Sequence, residues 1–214
     1  MARIHVLGGT GYGGSNIVRE AVKRGHEVTS FSRGLPAEPV EGARYVTGSV
    51  FDDAFLAQAV TGADVVFGSL SPRGELEGKL QGVVDTLIRL ATDAGVRLGL
   101  LGGASVMPVS PGGPRLFDVA KTRPEILPEV QAGIDVLDAL QRAPEELDWF
   151  YVSPATGFGS WAPGEATGRY RTSEDVLLVD ENGDSNISGA DLAKAVVDEI
   201  EEPKHRRTRL HVAY

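Results

Sequence analysis

Short apolar runs alternate along this chain with longer stretches of helical spacing. Runs at 3–7, 27–31, 44–47, 64–67, 97–101 and 148–152 have the length and apolar character of strands buried in a sheet. Between them, residues 12–24, 53–60, 75–94 and 129–142 read as helices; in the last, apolar residues fall at 130, 134, 137 and 140, one helical face. Gly25 and Gly95 are placed to close the first and third helices, Asp52 and Asp53 to cap the second, and Ser188 to open a further one. A final strand covers 208–213, and 169–179 has room for a short hairpin. Strand and helix in this alternation predict the α/β class, a Rossmann-type doubly wound parallel sheet. Two stretches rich in Gly and Pro, 102–128 and 153–165, read as loops with at most short helical pieces. The whole of 1–214 is expected to be a single domain, with a small C-terminal lobe over about 153–188.

At 214 residues and 42% hydrophobic content, the chain is long enough for one sizeable core and short for two. Its 30 acidic residues against 21 basic ones leave a formal net charge of −9. That balance argues against nucleic-acid and membrane partners, because either needs clustered Lys and Arg. Any phosphate must then be held by a local device. Without cysteine there is no disulfide, thiolate metal site or cysteine nucleophile. His5, His26, His205 and His211 lie in separate segments without metal-ligand spacing, so no metal site is expected. No apolar run reaches the ~18 residues of a membrane span and no signal pattern follows Met1, so the expectation is a cytoplasmic protein with a small-molecule substrate. Monomer and homodimer are left open.

The first local device is a glycine loop. Leu7-Gly8-Gly9-Thr10-Gly11-Tyr12-Gly13-Gly14 sits directly between the first strand and the first helix. It fits GxxGxxG through Gly8, Gly11 and Gly14, and GxGxxG through Gly9, Gly11 and Gly14. In either register the chemistry is the same: a tight turn, a backbone bare enough to approach a pyrophosphate, and helix N–H groups turned toward negative charge. A flexible turn is the bland alternative, and the strand–loop–helix–strand context favours dinucleotide binding. The end of the second strand then bears on which dinucleotide. NAD sites commonly place Asp or Glu there for the ribose 2′-hydroxyl, whereas this chain has Ser32-Arg33. A guanidinium fork suits a 2′-phosphate and a serine hydroxyl can add a hydrogen bond, so NADP(H) is expected in preference to NAD(H). The alternative for Arg33 is a solvated arginine before Gly34.

On these residues the chain resembles the atypical short-chain dehydrogenase/reductase proteins, in particular the small bacterial NADH-flavin reductase group related to biliverdin reductase B. The likeness runs through GGTGYGG, RGHEVTSFSR, VTGSVFD, LLGGASV, LDWFYVSPA and the long stretch from TGRYRTSEDV to EEPKHRR. The resemblance implies a Rossmann core, NAD(P)H bound across the strand ends, and hydride transfer to a flavin. Carried onto this chain, it implies Thr10, Gly11, Tyr12 and Gly13 at the pyrophosphate and Arg33 at the adenosine phosphate, beside the Gly8 and Ser32 that the loop and strand end already point to. Ser49 and Val50 would flank adenine, Ser69, Leu70 and Ser71 would run beside the adenine-side ribose and phosphates, and Gly103, Ser105 and the Ser153-Pro154-Ala155 turn would lie near the nicotinamide. Two positions depart from the group's pattern: Ser49 stands where relatives usually have Asp, and Ile126-Leu127 where they commonly carry a Tyr-Lys pair before Pro128-Glu129.

The superfamily's usual carbonyl chemistry needs a Tyr with a Lys four positions on, and none of Tyr12, Tyr45, Tyr151, Tyr170 and Tyr214 has one. Flavin reduction asks less of the protein, since the flavin carries its own electron sink. The expectation is therefore an NADPH-dependent reductase of FMN, another flavin or a similar flat conjugated acceptor, without a Tyr-Lys dyad. Two alternatives stand beside it: a non-catalytic NADP(H)-binding regulatory or redox-sensing protein, and an isomerase or dehydratase that retains its dinucleotide. Ser105 is the one candidate for a substrate-facing hydroxyl, against a cap or turn role. Phe117, Phe158 and Trp161 either face a flat substrate or pack under the loops. Arg73 and Arg115 either attract an anion or are ordinary surface arginines. Asp180, Asn182, Gly183 and Asp184 read as a turn, because the closing Glu of a calcium loop is missing.

Overall fold

A computed structural model describes residues 1–214. Eight strands form one sheet: β1 (Arg3–Leu7), β2 (Glu27–Ser32), β3 (Ala43–Thr47), β4 (Val65–Gly68), β5 (Arg97–Leu101), β6 (Trp149–Pro154), β7 (Arg171–Ser173) and β8 (Thr208–Ala213). Their spatial order is β3-β2-β1-β4-β5-β6-β8-β7, parallel throughout except for β7, which runs antiparallel at the edge. The helices are α1 (Tyr12–Lys23), α2 (Asp53–Val60), α3 (Leu80–Ala94), the short α4 (Leu116–Val119), α5 (Leu127–Gln141) and α6 (Gly189–Glu201).

Parallel strands covered on both faces cannot alternate polar with apolar, which is why every residue of β4 and β6 is buried. One face of the sheet carries α2, α3 and α5 over a core that includes Phe31, Leu87, Leu98 and Trp149. The other carries α1 against α6 over a core that includes Ile17, Phe67, Phe150 and Val196. The expected caps are present: Asp52 accepts from Ala54 N–H at 2.9 Å, Ser188 Oγ from Asp191 N–H at 3.1 Å, and Gly95 closes α3 at φ 64°. The strands finish level, with Leu7 opposite Phe31 and Gly68, Gly68 opposite Leu100, and Leu101 opposite Val152. Successive connections leave β1 to one side and β4 to the other, so a crevice opens above β1 and β4 at the reversal of strand order.

Two expected elements differ. The helix expected over 75–94 is split: a 3-10 turn spans Gly74–Leu76, Gly78 takes φ 66°, and the α-helix starts only at Leu80. The left-handed conformation at Gly78 is the physical break, and it turns 71–79 into a loop across the crevice rather than a first helical turn. The hairpin expected over 169–179 is a single strand, β7, whose partner is β8. Ser173 Oγ accepts from the amides of Asp175 and Val176 at 3.2 and 3.0 Å, which bends the chain away before a second arm can pair.

Candidate functional site

The glycine loop is built around one carbonyl. Gly8 takes φ 75°, and its oxygen accepts from Gly11 N–H at 3.0 Å. A Cβ on Gly14 would come within 2.2 Å of that same oxygen, and one on Gly8 within 2.2 Å of the Ser69 carbonyl. Gly9 lies as tightly against Ser30, at 2.4 Å, and Gly13 against Leu101 at 2.8 Å and Ser69 at 3.0 Å. Gly11 is the exception, with only the Gly8 oxygen at 3.4 Å, and it is exposed. The fold thus requires glycine at Gly8, Gly9, Gly13 and Gly14, and leaves Gly11 free of that demand. The amides of Thr10, Tyr12 and Gly13 make no hydrogen bond within the chain and stand at the positive end of the α1 dipole. This cradle of bare backbone fits a pyrophosphate, and the residues that would hold it are Thr10, Gly11, Tyr12 and Gly13.

Around the loop stand the ends of the neighbouring strands. Arg33 leaves β2 into solvent, its side chain 75% exposed, and donates to Glu75 at 2.9 Å. Ser32 departs from the expectation: it is buried in the strand, and its Oγ has no hydrogen-bond partner and no access to solvent. Arg33 alone of the pair presents a donor to the crevice. The Ser49 turn is tied to β2 by Gly48 N–H donating to the Ser32 carbonyl at 3.0 Å, and the Ser49 Oγ accepts from Phe51 N–H. Val50 and Leu70 are anchored on the core, while Ser71 is exposed. Ser69 is brought directly against the glycine loop.

At the other end of the crevice, Gly102 and Gly103 are fixed by two side chains from β6. Tyr151 accepts from Gly103 N–H at 3.0 Å and donates to the Gly133 carbonyl at 3.0 Å; Ser153 donates to the Gly103 carbonyl at 2.9 Å. Behind them His211 on β8 donates from Nδ1 to the Ser153 carbonyl at 2.8 Å, and burial pushes its pKa down, which favours the neutral ring. Ser153, Pro154 and Ala155 are therefore not a surface turn; Ser153 and Pro154 are the buried end of β6, and the Ser153 hydroxyl is already engaged. Burial likewise pushes the Tyr151 phenol far above its ordinary value, so it stays a neutral hydroxyl, held in place by its two backbone partners. Replacing Tyr151 with Phe strands a partly buried N–H and a partly buried carbonyl and should cost about 1–3 kcal/mol in a denaturant titration. A loss well under 1 kcal/mol would mean that water reaches the two groups.

Ser105 lies half-buried in the 3-10 turn Ala104–Val106, caps nothing, and has no hydrogen-bond partner. The open space above Gly103 lies next to it, since a Cβ there would meet nothing within 4 Å. Tyr12 reaches from α1 across to 153–188 and the start of α6, donating to the Pro163 carbonyl at 3.2 Å, accepting from Gly189 N–H at 3.1 Å and meeting the Phe158 ring at a tilt, 5.3 Å between centroids. Phe117 and Phe158 pack against the two cores, whereas Trp161 is 70% exposed. Arg73 and Arg115 are engaged by Glu129 at 2.6 Å and Asp118 at 3.2 Å. Asp180 Oδ1 accepts from the amides of Asn182 and Asp184, the turn expected there. Glu75, Glu129, Tyr151 and His211 carry no motif. Their roles depend on contacts 42, 56, 48 and 58 residues away.

Residues 8–203 match a family model described as NAD(P)H-binding. Three solved structures share the fold along their length. A Burkholderia pseudomallei protein is 37% identical with a TM-score of 0.87 over 100% of both chains. A Bacteroides thetaiotaomicron protein is 34% identical with a TM-score of 0.87 over 100% of this chain and 97% of that one. A Streptococcus pneumoniae protein is 29% identical with a TM-score of 0.85 over 100% and 99%. The descriptions of these three are provisional and differ: an exported protein, an epimerase and an NADH-flavin reductase. No helix of the chain is long and apolar enough to cross a membrane.

Proposed function

Given that the chain belongs to the NAD(P)H-binding family, we propose that it is an NADPH-dependent reductase of a flavin or a similarly flat conjugated acceptor, working without a Tyr-Lys dyad. The observation that carries the cofactor half is the bare amide cradle at α1 with Arg33, the exposed guanidinium at the end of β2, beside it. A dinucleotide held there would supply the hydride, for which a flavin offers its own acceptor atom, with the accompanying proton taken from water. What the chain contributes is placement. The amides of Thr10, Tyr12 and Gly13 hold the pyrophosphate, and Gly103, clamped by Tyr151 and Ser153, sets the floor at the reacting end.

The acceptor half rests on chemistry. Tyr12 and Tyr151 spend their hydroxyls on backbone groups, so neither is free to protonate a carbonyl. Ser105 is the hydroxyl left to orient a substrate, and Trp161 stands exposed in the segment that follows β6. A redox-sensing role is favoured instead by the same want of a proton donor, because sensing needs only binding.

The test follows consumption of NADPH with FMN or riboflavin, with NADH in parallel. Turnover with NADPH is the expected result, and Arg33→Glu should raise its KM by about tenfold or more while leaving NADH nearly unchanged. Tight NADPH binding without flavin reduction would remove the flavin acceptor and leave the sensing reading ahead.

A further inference from the structure

In the free chain the arginine offered to the 2′-phosphate is already taken. Arg33 Nη1 donates to Glu75 Oε2 at 2.9 Å, although Glu75 lies 42 residues on, in the loop that follows β4. In the sheet β1 lies between β2 and β4, so this ion pair spans the strand end that carries the glycine loop. The loop bearing Glu75 is pinned on its other side by Arg73, which pairs with Glu129 of α5 at 2.6 Å. Glu75 itself sits just after Gly74 and three residues before Gly78, both at positive φ and both open around the position of a Cβ. Leu76 anchors the loop on the core, while the Glu75 side chain is 67% exposed.

We propose that Glu75 is a built-in competitor of the ribose 2′-phosphate for Arg33, so that the Arg33–Glu75 pair opens when NADP(H) binds and stays closed with NAD(H). The inference rests on the cofactor reading above and adds to it a specificity-determining residue. A carboxylate on a guanidinium makes the same kind of charged hydrogen bond as a phosphate oxygen. A phosphate dianion arriving at Arg33 would stand beside the Glu75 carboxylate, and that like-charge contact is relieved only if Glu75 swings out. A 2′-hydroxyl brings no charge, so nothing displaces Glu75 from Arg33. Glu75 thereby weakens NADP(H) and leaves NAD(H) alone.

The test is calorimetric titration of the wild type and Glu75→Gln with NADPH and NADH, with 2′,5′-ADP as a probe that carries the 2′-phosphate without the nicotinamide. Glu75→Gln should tighten NADPH and 2′,5′-ADP by roughly three- to tenfold and change NADH by less than about twofold. Because the side chain is exposed, Tm should stay that of the wild type, which separates the effect from a folding defect. Wild type that binds NADPH while Glu75→Gln binds it equally or more weakly overturns the proposal. So does equal tightening of NADPH and NADH, which would mark a general effect of removing a negative charge. Failure of the folded wild type to bind either dinucleotide would instead sink the cofactor reading, and this inference with it.

Discussion

Replacing Glu199 with Ala is expected to cost about 3–5 kcal/mol of unfolding free energy, measured by denaturant titration near neutral pH. Glu199 on α6 is 4% exposed and faces Arg97, the first residue of β5, which is 7% exposed. Arg97 donates to the Glu199 carboxylate at 2.7 Å, to the Glu199 carbonyl at 2.9 Å and to the His205 carbonyl at 2.8 Å, with the Phe150 ring 4.4 Å away. The same carboxylate accepts from His205 Nδ1 at 2.6 Å and from the amides of Lys204 and His205. Its removal leaves a buried guanidinium with Asp148, at 3.3 Å, as the remaining carboxylate. A measured loss under about 1 kcal/mol would show that Asp148 and water suffice.

Acid gives an independent check on that pair. Burial alone would raise the Glu199 pKa, but the hydrogen bonds from Arg97 and His205 outweigh it and hold the carboxyl below its ordinary value. A native pKa below the unfolded one means that the contribution is fully present above about pH 4.3 and is lost as the pH falls through the native value. Asp191 and Asp198 are also held low, yet they titrate in both proteins. The stability gap between wild type and Glu199→Ala should therefore narrow on acidification. A gap that stays constant would mean that the loss comes from packing rather than from charge.

The strands, the first helix and the glycine loop were legible because each is encoded locally, by apolar runs and by Gly and Asp at element ends. The same local reading overran at Glu75, where helical composition continues but Gly78 at φ 66° stops the helix. It misplaced a second arm beyond β7, because the partner of β7 is β8, across residues 171–213. Ser32 and Ser153 sit in motif positions, but β2 is covered on both faces so that the first is buried, and the second is consumed by Gly103 at 2.9 Å. The clamp on Gly103 and the Arg33–Glu75 pair join distant segments, so no spacing rule announces them. What they share is a place at the carboxyl ends of the strands, which only the sheet order brings together.

Gly14→Ala should abolish measurable dinucleotide binding, weakening it by at least about a hundredfold, and should lower stability by about 1–3 kcal/mol as well. The added Cβ would lie 2.2 Å from the Gly8 oxygen and 2.8 Å from Gly9 Cα, both backbone, so the turn has to open. Opening it releases the Gly11 N–H from its 3.0 Å bond and displaces the free amides of Thr10, Tyr12 and Gly13 on either side of it. Gly11→Ala separates the two effects. Its Cβ meets only the Gly8 oxygen at 3.4 Å, and its φ of −76° suits any residue, so the fold and Tm should hold. If the pyrophosphate packs on the α1 N-terminus, that methyl group stands in its way and NADPH affinity falls with stability unchanged. A Gly11→Ala protein that binds NADPH as the wild type does would mean that the dinucleotide approaches from another side, and that the glycines of this loop serve the turn alone.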